Sequence, residues 1–348
     1  MKNNAIKSFT TKNISVKNIP NKISTNKVFL LYQDNIALAE CEVKSLLMLD
    51  KYSLEKYVII SAMEKNCENK ILRLAYTRYA FDLLFECALS QLEGKLENFV
   101  WKRIYKKDFC LRIRSIDSKK EFEEKTLAGY VWRNLAKNKI TPKVNLENAE
   151  TFIEIILLGK KAYVCKLIWQ NKEDFESRKA HLKPVLIPTA MMPKMARALV
   201  NIVRADNIID PFCGAGGILV EAGLIGVKSK GYDIDKKVLA MARESLNNEK
   251  INKKMYMLKI QDATKLKNLK NIVTDLPYGK SSKMSDQMDG LYSKFIKNIS
   301  GRSVIVFPDW IDFRKILKNN LNKKLKVEKI IDCYVHKSLT RKIVVIDK

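Results

Sequence analysis

The chain has 348 residues, 47% of them hydrophobic, enough for two or three domains each with its own core. No stretch approaches the roughly 18 uninterrupted apolar residues that span a bilayer, and no apolar secretory segment opens the sequence, which excludes a membrane protein and leaves a cytoplasmic one as the expectation. Seven scattered cysteines without a CxxC pair suggest neither a zinc site nor a redox motif, two histidines exclude a His-rich metal site, and 65 Lys plus Arg against 38 Asp plus Glu give a net charge of +27.

Residues 1–26 carry five lysines and no acid, which predicts a basic flexible tail; an organellar transit peptide would also be acid-free, but richer in Arg. VFLLY (28–32) predicts a strand, and IALAECEVKSLLML (36–49) a helix with Leu38, Val43, Leu46 and Leu47 on its apolar face. YVII (57–60) and KILRLAY (70–76) read as strands, RYAFDLLFECALSQL (78–92) as a helix, and FVWKRI (99–104) as a strand with cationic flanks. In FCLRIRSID (109–117) apolar and basic residues alternate, which sets Arg112 and Arg114 on one face of a half-buried strand. EKTLAGYVWRNLAKN (124–138) is helical, and TFIEIILLGKKAYVCKLIW (151–169) is a hairpin turning at Gly159-Lys160-Lys161. This half is α+β with antiparallel character.

The style changes past a charged linker at 171–183. From residue 184 strands alternate with helices: strands at 207–210, 229–235, 255–260, 271–275, 303–307, 326–335 and 342–347, with helices from Gly217 and over 238–249. Repeated β-α units predict an α/β domain built on a doubly wound, mostly parallel sheet.

DPFCGAGGI (210–218) joins a strand to a helix, so its glycines let the backbone approach a ligand beside unpaired helix N–H groups. It is neither G-x-G-x-x-G nor a phosphate loop with GK[ST]. The next strand ends in GYDID (231–235), and an acid at that tip can accept ribose hydroxyls. Asp233 fits best; Asp235 fits a helix N-cap better. Asp262, past the following strand, is in reach of an adenine ring. Three strand-end acids around one glycine turn predict an adenosyl pocket.

TDLPYGK (274–280) ends the strand after that. DLPY is a version of [DNS]-x-P-[YFW], the motif of methyltransferases that act on exocyclic amines. Such an amine is a poor nucleophile because its lone pair is delocalised into the ring. Asp275 and the carbonyl of Leu276 can accept its two N–H bonds, Pro277 stiffens the backbone, and Tyr278 can stack on the base. By itself the loop could equally be an Asp-Pro turn with a core tyrosine.

Over residues 27–348 the chain resembles archaeal-type tRNA guanine-N2 methyltransferases, which join an N-terminal RNA-binding THUMP region to a Rossmann-like class I methyltransferase domain. The resemblance is carried by AHLKPVLIPTAMMPKMARALVNI (180–202), DPFCGAGGILVEAGLIG (210–226), VTDLPYG (273–279) and, for the end of the THUMP region, LENAETFIEIILLGKKAYV (146–164). It implies a ferredoxin-like plus THUMP region over 27–170, a methyltransferase domain over 184–348, S-adenosyl-L-methionine as cofactor, and one or two methyl groups placed on N2 of the guanosine at tRNA position 10. Asp210, Phe212, Gly214, Gly216 and Gly217 would surround the methionine part of the donor, Asp233 and Ile234 the ribose, and Asp262 and Ala263 the adenine. Asp275, Leu276, Pro277 and Tyr278 would form the reaction loop, although Leu276 replaces the more common Pro. Pro188 and Thr189 would close over the donor, although the family wording there is nearer H-P-G.

tRNA is the expected partner, and the positive charge suits it unless that charge is whole-proteome composition bias. Lys102, Arg103, Arg112 and Arg114 are candidate phosphate contacts, with a solvated strand face as the plain alternative. Tyr163 and Trp169 read as core aromatics rather than stacking platforms. Other readings are the same chemistry on another guanine, such as tRNA position 6 or ribosomal RNA, a DNA adenine methyltransferase, or a non-catalytic RNA-binding protein. No protein partner is implied, and a monomer suffices.

Overall fold

The computed structural model describes residues 26–63, 68–178, 191–278, 282–337 and 339–348, without the side chains of 282–287. The tail expected over 1–26 lies outside these but for its last residue, and Pro188 and Thr189 lie outside them too.

The first half forms a sheet from β1 (Asn26–Leu31), β2 (Tyr52–Glu55), β3 (Val58–Ala62), β4 (Thr77–Ala88), β5 (Phe109–Ser115), β6 (Thr151–Leu158) and β7 (Lys161–Gln170). Their order is β2-β3-β1-β4-β7-β6-β5. Every pairing is antiparallel except β5 with β6. The helices of this half are α1 (Ile36–Leu47), the single turn α2 (Glu68–Ile71), α3 (Leu92–Asn98) and α4 (Glu124–Lys137).

Three expected elements take another form. Residues 78–92 are not one helix: Thr77–Ala88 is the central strand β4, and helical turns follow only from Leu89. Register shifts against β7 after Ala80 and Leu83 break the period-two pattern, so a strand packed between two neighbours imitates helical spacing. Residues 70–76 are not a strand. The turn α2 ends at Ile71, and the N–H groups of Ala75 and Tyr76 bond to the Glu42 carboxylate, at 2.8 Å each, rather than to a ladder. Residues 99–104 hold a 3-10 turn at Trp101–Arg103, fixed where the buried Trp101 indole donates to the Leu96 carbonyl at 2.7 Å.

The second sheet contains β8 (Asn207–Asp210), β9 (Lys228–Asp233), β10 (Tyr256–Ile260), β11 (Ile272–Asp275), β12 (Ser303–Pro308), β13 (Lys326–His336) and β14 (Leu339–Asp347). The order is β10-β9-β8-β11-β12-β14-β13, parallel through β12, with β14 running antiparallel between β12 and β13. With it go α5 (Pro193–Val203), α6 (Gly217–Leu224), α7 (Lys236–Asn248), α8 (Ser282–Ile296) and α9 (Phe313–Asn320). The central strands β11, β12 and β14 are apolar on both faces, as a sheet covered on both sides requires, whereas β9, β10 and β13 toward the edges carry exposed lysines. Val273, Val304, Val306 and Val345 pack with α5, whereas Ile272, Ile305, Phe307, Val344 and Ile346 pack with α8 and α9. The chain is thus α/β with a doubly wound Rossmann-like sheet, preceded by an α+β half.

One core cluster runs through both halves, because α1 residues such as Leu38 and Val43 pack with α5 residues such as Leu199 and Ile202. Glu42 of α1 is fully buried there, and besides Ala75 and Tyr76 it accepts from Asn201 Nδ2 of α5 at 2.7 Å. No helix among the described residues is long and apolar enough to cross a membrane. Glu42→Ala would strand the N–H groups of Ala75 and Tyr76 and take one of two acceptors from Asn201 Nδ2 at the joint between the halves. We expect it to lower unfolding stability by on the order of 3 kcal/mol, read as a fall in the urea midpoint.

Candidate active site

Four adjacent strands, β10, β9, β8 and β11, end side by side and release their chains at one edge of the sheet. The strand order reverses between β8 and β11, where such sheets open a crevice. A cavity of about 800 Å³ lies there, within the range of roughly 300–1,000 Å³ typical of small-molecule sites. Asp210, Phe212, Gly214, Gly217, Asp233, Ile234, Asp262, Ala263, Asp275, Leu276, Pro277 and Tyr278 all line it.

The glycine turn is shaped by its neighbours. Gly214 and Gly216 hold φ of +50° and +80°, conformations that favour glycine, and Gly216 precedes the first turn of α6. Gly216 does not line the cavity. A Cβ there would meet the Ala242 Cβ of α7 at 3.1 Å, so its role is close helix packing. The Asp233 carboxylate ties the turn to β9 by accepting the Gly214 N–H at 3.1 Å, and accepts the Asp235 N–H at 3.0 Å. Asp235 caps α7 through the N–H groups of Lys237 and Val238 and does not line the cavity, so of the two acids only Asp233 faces the cavity. Asp262 accepts from the Thr264 N–H at 2.9 Å and its hydroxyl at 2.7 Å, which holds its carboxyl below the usual range. Ile234 is 76% exposed at the rim, and Phe212 stands edge-on to Phe295 with 5.2 Å between centroids. Cys213 both lines the cavity and packs with Leu219 and Leu246.

Asp210 is 1% exposed and holds the Thr274 hydroxyl at 2.6 Å and the Phe212 N–H at 3.2 Å. Burial pushes its carboxyl up to about 7, and these two bonds only partly offset that. Asp275, one strand away, is pushed by burial up to about 6, against the lowering effects of Arg341 and Tyr278. The Tyr278 hydroxyl donates to Asp275 Oδ1, and burial with that neighbour drives the phenol far above its ordinary value. Tyr278 is therefore a neutral donor, its ring edge-on to Trp310 at 5.9 Å. Leu276 buries its side chain against the α8 core and donates its N–H to the Val306 carbonyl at 3.1 Å, a bond proline could not make. The Pro277 carbonyl accepts from the Tyr292 hydroxyl, so the loop is pinned at each residue.

Two groups were not legible in the local sequence. Arg341 of β14 ion-pairs with Asp275 at 3.2 Å, and Arg178 reaches the cavity wall, where Glu221 of α6 accepts from its Nε at 2.8 Å. Neither sits in a motif; only the chain's return by β14 and by the segment before α5 brings them in.

The four candidate phosphate contacts do not form one patch. Lys102 and Arg103 are exposed on their 3-10 turn. Arg112 and Arg114 line a separate cleft of about 490 Å³ beside the edge strand β5. There Arg112 pairs with Glu124 at 3.0 Å, and Arg114 with the buried Glu154 at 2.5 Å. Tyr163 is buried and Trp169 half-buried against the core, so neither is an open stacking surface. No cluster of metal-ligating side chains occurs among the described residues.

The folded carboxyl of Asp210 lies above its unfolded value, so its stability contribution is present in acid and lost as pH rises toward about 7. The stability advantage of Asp210→Asn over wild type should therefore grow from pH 4 to about 7 and level off above it, read by thermal melts of the ligand-free protein.

Residues 181–343 match the family described as RMKL-like, methyltransferase domain. The crystal structure of SMU.472 complexed with SAH superposes with a TM-score of 0.51 at 16% identity, covering 93% of this chain and 98% of that one, which is a likeness of fold. A tRNA (guanine(10)-N2)-dimethyltransferase of Methanothermobacter thermautotrophicus is 30% identical over 92% of this chain and 98% of its own length. One of Pyrococcus abyssi is 31% identical over 79% and 86%. Similar along nearly the full length of such a relative, the chain belongs to the tRNA (guanine(10)-N2)-dimethyltransferase family.

Proposed function

We propose that the protein transfers one or two methyl groups from S-adenosylmethionine to the exocyclic N2 of the guanosine at position 10 of tRNA. The observation that carries this reading is a partly buried carboxylate, Asp275, in a Pro-Tyr loop on the wall of a cavity of about 800 Å³. The fit rests on donor chemistry. Asp233 retains lone pairs for two ribose hydroxyls, Asp262 would lie beside the adenine, and the glycine turn would leave room for the methionine end at the start of α6.

When bound, the donor supplies a methyl group on a positively charged sulfur, which departs as a neutral thioether. The residues must supply a nucleophile held in line. Asp275 Oδ1 accepts one N–H of the guanine amine, displacing the Tyr278 hydroxyl, and the Leu276 carbonyl accepts the other. The nitrogen lone pair is thereby turned toward the methyl carbon. As the N–C bond forms, the surplus proton on N2 passes to Asp275 and on to solvent. Pro277 and the Tyr292 bond keep the carbonyls from following the base, so positioning accounts for most of the acceleration. The Tyr278 ring would stack on the extruded guanine.

We assign tRNA binding to a THUMP-type region within residues 27–170, with Lys102, Arg103, Arg112 and Arg114 facing phosphates. Shape and charge would then hold the tRNA largely without reading sequence. The work of such an enzyme lies with the tRNA pool, in the cytoplasm. Pro188 and Thr189 remain candidates for closing over the donor.

The direct test incubates the protein with unmodified tRNA and labelled donor, followed by nucleoside and fragment analysis. N2-methylated guanosine at position 10 is expected from wild type and not from Asp275→Ala; label at another guanine would move the target, and absence of label would sink the reading. Because Asp275 acts as a carboxylate, the single-turnover rate should rise about tenfold per pH unit in acid and flatten above about 6. Lys102→Ala with Arg103→Ala should weaken tRNA binding and reduce the slope of log K against log salt by about 0.7–0.9 for each phosphate no longer neutralised, as a filter-binding titration would read.

A further inference from the structure

The reaction loop is held by a strand far from it in sequence. Arg341 lies on β14, 63 residues beyond Tyr278, and is 2% exposed. Its Nη2 lies 3.2 Å from Asp275 Oδ2, and its Nε donates to the Tyr278 hydroxyl at 2.9 Å. That hydroxyl in turn donates to Asp275 Oδ1, so the three side chains close a ring. Arg341 itself does not line the donor cavity.

This placement is costly unless it serves something. A buried guanidinium gains little net stability from its partner, and an aliphatic residue of similar volume often does as well. The backbone of β14 is fixed between β12 and β13, where Arg341 stands opposite Pro308 on one side and Cys333 on the other. The guanidinium is thus anchored in a ladder, whereas Tyr278 is on a loop. Of the two groups that occupy Asp275, the Arg341 contact to Oδ2 is the fixed one. Oδ1 is the oxygen on which the Tyr278 hydroxyl and an incoming amine can exchange.

We propose that Arg341 is the positioning residue of the reaction loop, holding Asp275 ionised and aimed through Oδ2 while Oδ1 is presented to the acceptor amine. The proposal rests on the reading that Asp275 accepts an N–H of that amine. Arg341 acts through Asp275 and Tyr278 and makes no contact with either substrate. Among the described residues, the titratable groups facing Asp275 besides Arg341 and Tyr278 are Asp210 at the end of β8 and Tyr292 of α8. Burial drives the carboxyl of Asp275 upward and the guanidinium opposes it, so removal of the guanidinium must move its titration further up.

The experiment compares wild type, Arg341→Gln and Arg341→Lys. It reads donor affinity, the single-turnover rate on tRNA from pH 5 to 9, and the Asp275 carboxyl titration by 13C NMR, assigned with Asp275→Asn. Arg341→Gln should bind the donor as wild type does, lose between about tenfold and a hundredfold in rate at pH 7, and titrate at least about one pH unit higher. Arg341→Lys should return the titration toward the wild-type value while recovering only part of the rate, since an ammonium cannot hold both partners in one plane. If Arg341→Gln does not bind the donor, Arg341→Met, which fills a similar volume, takes its place. A slowed variant whose Asp275 titrates as in wild type overturns the proposal and leaves Arg341 a packing residue. The carboxyl titration needs no acceptor. An upward shift in it, with no methyl transfer by wild type, would uphold the clamp and fail the assigned substrate instead.

Discussion

Two carboxylates, the buried Asp210 and the partly buried Asp275, stand at the ends of neighbouring strands, and the way each is tolerated organises the site. Desolvation drives both upward, and each has taken the partners available within its own layer: Thr274 and a backbone N–H for Asp210, Arg341 and Tyr278 for Asp275. The two acids then differ in use. Asp210 shapes the glycine turn from beneath through the Phe212 N–H. Asp275 instead holds a neutral hydroxyl on one oxygen and a guanidinium on the other.

The crevice exists because the strand order turns back between β8 and β11, which leaves the loops after both strands without a common neighbour above them. Everything a donor would touch hangs from that geometry. The glycine turn follows β8, the acid that ties it in place ends β9, Asp262 follows β10, and the Asp275–Tyr278 loop follows β11. Backbone constraints hold the arrangement: positive φ at Gly214 and Gly216, the close approach of α7 at Gly216, and the Leu276 N–H bond to β12.

The antiparallel half is fastened to this frame by packing. α1 lies against α5, apolar residues of both share one cluster, and Glu42 binds donors from each side of the joint. α5 also contributes to one face of the second sheet. The antiparallel half is therefore joined to the sheet that carries the cavity through a core, which restricts relative tilting of the two halves.

The sequence by itself determined the parallel half and most of the cavity. Short strands alternating with helices, a glycine turn and acids at successive strand ends are local patterns, and local patterns survive without a partner in view. It also separated Asp233 from Asp235, since a helix starting at once after Asp235 demands a cap. Three elements of the first half were misread where the deciding partner was distant: bulges against β7 in β4, the Glu42 carboxylate at Ala75 and Tyr76, and the indole of Trp101 folded back on Leu96. Tertiary structure alone decided that Arg341 meets Asp275, that Arg178 reaches the cavity, and that Arg112 and Arg114 already have acidic partners. The physical reason is common to all of these. A charge or a hydrogen-bond donor in a chain announces that it needs a partner, but which partner it finds depends on strand order and register, and those are set by residues far apart in sequence.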